Sequence, residues 1–106
     1  MVHGARYVLA VSVEFGHPES EEEWNRWYDD VHVPAMLSVP GFLSAYRYTD
    51  RGSTSRYLTL YEIESPDNCR SESCLAVSGW GEWKPLIANW SRAVYEVADD
   101  FGDWIS

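Results

Sequence analysis

The amino-acid sequence predicts an α+β domain in the order β-α-β-β-α-β, with four antiparallel strands and both helices on one sheet face. Three observations lead there. Residues 6–14, 42–49, 56–64 and 91–97 alternate or run apolar at strand period. Helix-start signals at Ser20 and Ser65 follow the first and third of these stretches. The chain also echoes itself: Arg6-Tyr7 to Glu14 matches Arg56-Tyr57 to Glu64 in length and ends, and a W-x-x-W follows each, Trp24/Trp27 and then Trp80/Trp83.

The first strand, RYVLAVSVE, puts Tyr7, Leu9, Val11 and Val13 on one face and Val8 and Ala10 on the other, so both faces are to be covered. Gly16, His17 and Pro18 end it. Ser20 to Glu23 reads as a capping box, with three Glu suited to the positive end of the helix dipole. At 100° per residue, Trp24, Trp27, Tyr28, Val31 and Ala35 form the apolar arc, and His32 falls just off it near Asn25 and Glu21. Pro34 is expected to end or kink the helix at Val33.

Pro40-Gly41 is a turn, and Phe42, Ser44, Tyr46 and Tyr48 alternate with Leu43, Ala45, Arg47 and Thr49 in the second strand. A polar connection, 50–55, has hairpin length and leads to the third strand, with Tyr57, Thr59, Tyr61 and Ile63 on one face. Ser65-Pro66-Asp67 opens the second helix, expected to reach about Val77. Gly79, Gly81 and Pro85 make 79–90 irregular before the last strand. The acidic tail from Ala98 carries Phe101, Trp104 and Ile105 and is expected to cover an edge or a partner.

A chain of 106 residues implies one domain, residues 1–106, with a modest core. Two helices cover one face of the sheet, so a second copy is expected on the other, giving a homodimer. A formal net charge of −9 disfavours nucleic acid, and no basic amphipathic stretch or long apolar run invites a membrane. A cytoplasmic location is expected, with Cys69 and Cys74 as reduced thiols, since their spacing is neither redox C-x-x-C nor half a zinc site. No G-x-S-x-G, phosphate loop or H-E-x-x-H is present, and His3, His17 and His32 are scattered, so no metal site and no cofactor are expected.

The segment Trp24-x-x-Trp27-Tyr28-Asp29-x-x-His32-Val33-Pro34, followed by Val39-Pro40-Gly41-Phe42 and Tyr46-Arg47-Tyr48, resembles the EthD-like branch of the dimeric α/β-barrel, ferredoxin-like superfamily. The match covers about residues 6 to 64; the second half agrees in strand–helix–strand order. The resemblance implies a ferredoxin-like fold whose sheets pair into a dimeric α/β barrel. It also implies a range of chemistries: cofactor-free monooxygenases, polyketide cyclases, muconolactone isomerases, and aldoxime-type and chlorite-type haem enzymes. Haem ligation by His32 has no second support in the sequence.

Two functions follow. In the first, the chain is a small cofactor-free enzyme using general acid/base chemistry (cyclisation, isomerisation, dehydration or oxidation) on a hydrophobic aromatic or polyketide-like carbonyl compound. His32 is the acid/base, Tyr28 or a strand Tyr polarises the oxygen, and Arg47 holds an anionic group or pairs with Glu62 or Glu96. Trp24, Tyr46, Tyr48, Tyr61 and Trp83 are the candidate substrate walls, each equally suited to core packing. In the second, a non-catalytic dimer binds a hydrophobic metabolite or assists a partner enzyme.

Overall fold

In a computed structural model of the protein, which describes residues 5–99, the strands are β1 (Tyr7–Phe15), β2 (Phe42–Thr49), β3 (Arg56–Ile63) and β4 (Ile87–Glu96). His3 and the end of the acidic tail, residues 100–106, lie outside the described residues. Every pairing is antiparallel and the strand order is β2-β3-β1-β4. This is the ferredoxin-like arrangement the element order predicts. The inner face carries Leu9, Val11, Val13 and Phe15 from β1 with Thr59, Tyr61 and Ile63 from β3, all buried beneath the helices. The outer face carries Val8, Ala10, Tyr46, Leu58 and Leu60, half-buried, and Tyr48 and Tyr95, exposed.

The helical layer opens with α1 (Glu21–Trp27), passes through a π turn at Tyr28–His32, and continues as α2 (Val33–Leu37). The Val33 N–H bonds back five residues to the Tyr28 carbonyl. This turn corrects two expectations. Residues four apart drift by about 40° on a regular α-helix, so Trp24, Tyr28, His32 and Met36 would leave one face after two turns. The wider π turn absorbs the drift, and all four are buried on the sheet. His32 is 7% exposed, whereas Val31, expected in the apolar arc, is 55% exposed. Pro34 does not end the helix, because it falls in the first turn of α2, just past the π turn, where its missing N–H is least needed.

The Ser20 capping box does not form. Ser20 already closes a 3₁₀ turn through its N–H to the His17 carbonyl (2.9 Å), with ψ near 2° rather than extended. At Ser65 the expected cap is present: Ser65 Oγ accepts from the Asp67 N–H at 3.2 Å, and the Ser65 N–H donates to Asn68 Oδ1 at 2.8 Å. The second helix is broken. A 3₁₀ stretch, Pro66–Arg70, is followed by α3 (Glu72–Val77), whose cap Ser71 Oγ accepts from the Cys74 N–H. Because α3 is short, β4 is left exposed along most of its length.

A register shift between Phe42 and Ser44 inserts one residue opposite Ile63. Phe42 therefore shares the inner face with Ala45 and Arg47, instead of the face of Tyr46 and Tyr48 that strict alternation assigns it. β2 is also an edge strand of the sheet.

Candidate active site

His32 is held by rings. Its imidazole stacks on Trp27 (centroids 5.0 Å, 18°), meets the edge of Tyr28 (4.9 Å) and lies 5.8 Å from Trp80. The stack on Trp27, five residues back, is a direct product of the π turn. No described residue hydrogen-bonds the ring nitrogens. Burial, followed by the charge of Arg47, pushes the imidazole down to about 4, so it is neutral near pH 7 with a free lone pair.

His32 opens onto a cavity of about 230 Å³ between the sheet, the π turn and residues 78–84. Leu9, Val11 and Met36 give it an apolar floor, and Trp80 and Trp90 meet edge to face at 6.1 Å as its aromatic corner. Tyr61 lines the inner end. Its buried hydroxyl has no hydrogen-bond partner among the described residues, and burial together with the neighbouring Tyr28 phenol pushes its pKa up, so it stays protonated. A buried donor left unsatisfied is costly unless something arrives to use it. Lys84 and Arg92 also line the cavity, at its exposed side.

Of the residues singled out in the sequence, His32 and Tyr61 meet at this cavity. Tyr28 packs directly behind His32, its phenol accepting from Thr59 Oγ1 at 3.0 Å, and burial raises its pKa. Arg47 lies on the far side of Tyr28, with its guanidinium carbon 4.0 Å from that ring centroid. Its partners are Asp29 (2.8 Å) and Asn25 (3.0 Å), rather than Glu62 or Glu96. Glu62 lies on the opposite face, where it accepts from Ser44, and Glu96 pairs with Arg6. Arg47 therefore does not reach the cavity. Trp24 is core, stacked on Phe15 at 4.7 Å, and Trp83 packs against Phe15 and Trp27. Tyr46 and Tyr48 project from the outer face, away from His32.

Among the cavity residues that sequence reading did not single out are Lys84 and Arg92, with Met36 on the floor. Arg92 shares a face with Trp90 and Val94 and stands opposite Val11, a register visible only once β4 is paired with β1. Among the described residues, no group of three or more His, Cys, Asp or Glu side chains is placed to hold a metal ion. No helix among them is long and apolar enough to cross a membrane.

No protein-family model and no curated protein sequence matches the chain. Solved structures do. SnoaB, a cofactor-independent oxygenase from Streptomyces nogalater, is 11% identical, with 94% of this chain and 100% of that chain covered and a TM-score of 0.68. An ethyl tert-butyl ether D (EthD) family protein from Bacillus halodurans C-125 is 14% identical, with 86% and 98% covered and a TM-score of 0.63. A dimeric ferredoxin-like protein from an uncultured marine organism is 14% identical, with 92% of each chain covered and a TM-score of 0.69. The chain therefore has the ferredoxin-like α+β fold that these proteins share, an EthD family protein among them.

Proposed function

We propose that the chain is an enzyme that moves protons on a small, flat carbonyl compound bound beside His32. The observation that carries this reading is a neutral imidazole and an unpartnered, protonated phenol, Tyr61, lining one aromatic cavity. A cavity of about 150 Å³ accommodates benzene, so 230 Å³ suits a compound of one or two fused rings.

His32 takes the proton from the carbon beside the carbonyl. The electron pair of that C–H bond moves onto the oxygen, and the Tyr61 O–H donates to the oxyanion as it forms. The imidazolium then returns the proton to another atom, in isomerisation or cyclisation, or to a departing hydroxyl, in dehydration. For oxidation, the same carbanion is the reductant and dioxygen the oxidant, as the name of the oxygenase from Streptomyces nogalater suggests for that protein. Tyr28 and Arg47 act as positioning residues: Asp29 and Asn25 fix Arg47 over Tyr28, and Tyr28 fixes the ring of His32. The reading includes a cytoplasmic homodimer with outer sheet faces together and no cofactor. A non-catalytic binder of hydrophobic metabolites is the second reading, favoured by the low basicity of His32.

Exchange of α-protons in D₂O, followed by NMR with 2-tetralone as probe, separates the two. The enzyme accelerates exchange and His32→Ala loses about 100-fold or more of that rate. A binder does not accelerate exchange, and an unchanged rate in the variant removes His32 from the chemistry.

A further inference from the structure

The cavity is cationic in a strongly acidic protein. The chain has eight Lys and Arg against a net charge of −9. Five of the eight, Arg6, Arg26, Arg47, Arg56 and Arg70, have an Asp or Glu oxygen within 4.0 Å. Among the described residues, Arg51, Lys84 and Arg92 have none. Two of these three line the cavity that holds His32, and no Asp or Glu among the described residues lines it. The Cys69 thiol is close enough to feel the Arg92 charge, but burial, followed by Cys74, pushes that thiol up, so it stays neutral and gives Arg92 no counter-charge.

We propose that the cavity selects an organic anion: a flat aromatic acid whose carboxylate oxygens are held by Lys84 and Arg92 and whose ring lies in the corner of Trp80 and Trp90. The chemistry of the parts fits. A guanidinium offers a planar pair of N–H donors that matches a carboxylate, and an ammonium adds a point charge. Both heads sit at the exposed side, where a carboxylate keeps part of its hydration, while the ring displaces water from Leu9, Val11 and Met36. Tyr61, which lines the inner end, is the polar residue nearest to hand for a carbonyl or phenol oxygen. An anion beside His32 also favours its protonated form, countering the burial that depresses it. Substrate binding would thus raise the basicity of the group meant to take the proton.

Such a compound is a substrate only if the cavity is the reaction site described above; its binding is measurable without turnover. Isothermal titration of the full chain compares 2-naphthoate with its neutral isostere 2-naphthamide, in the wild type and in Lys84→Gln and Arg92→Gln. Wild type binds the naphthoate about tenfold or more tightly than the amide. Each Gln variant weakens the naphthoate about fivefold and leaves the amide unchanged, and added salt weakens the acid alone. Equal affinity for acid and amide, no binding of the naphthoate at millimolar concentration, or variants that bind it as wild type does, each overturns the proposal. Charge-selective binding without His32-dependent α-proton exchange removes the catalytic reading and leaves the anion site standing. His32-dependent exchange in neutral compounds, with a KM unmoved by Lys84→Gln and Arg92→Gln, does the reverse.

Discussion

His32 couples the site to stability through its proton. In the unfolded chain it titrates near the ordinary histidine value of 6.5, and in the fold near 4. Between those values the unfolded state binds a proton that the folded state refuses, so stability is fully present above about pH 6.5 and declines as pH falls towards 4. The full loss attributable to this one ring is about 3 kcal/mol. Urea melts at pH 7.5 and 4.5 should show a smaller acid loss in His32→Phe than in wild type; equal losses would mean that the folded imidazole titrates normally. The type and position of His32 marked it in the sequence, but its burial was hidden, because the wheel that set it on the wet boundary assumed 3.6 residues in every turn. Arg47 was recognisable as a charge needing a partner. The choice of Asp29 over Glu62 followed from which face of β2 turns inward, and one bulged residue decides that.

At the scale of elements, Pro40-Gly41 was legible as a turn, and the structure adds why the glycine is required. Gly41 has φ +92°, and a Cβ there would stand 2.2 Å from the Asn68 side chain. That side chain cannot simply retreat, since its Oδ1 caps the Ser65 N–H. Gly41→Ala should therefore both strain the turn and disturb the cap, lowering stability by about 1–3 kcal/mol in denaturant melts; a loss within error would show that Asn68 yields freely. The strands were readable within a few residues because period-two alternation is local, and so was the Ser65 cap, whose Ser-Pro-Asp order is itself local. The π turn and the break between Pro66–Arg70 and α3 left no comparable mark.

For the whole molecule, the order β2-β3-β1-β4 was legible from the sequence of elements alone, whereas the cavity was not, since its walls come from both ends of the chain. The outer face, with Leu58, Leu60 and Tyr46 bare of helices, is the basis for the expected dimer. Sedimentation at micromolar concentration should give twice the chain mass, and Leu60→Lys should halve it; a wild type that sediments at the chain mass disposes of the face-to-face pairing. The pairing of β1 with β4 bears on synthesis as well. At about 5–20 residues per second, the ribosome emits β1 several seconds before its last neighbour exists. Throughout that interval one hydrogen-bonding edge of the Val-rich first strand has no native partner. A nascent chain stopped short of Ile87 would carry His32 and Tyr61 but neither Trp90 nor Arg92, and so lack a wall of the cavity.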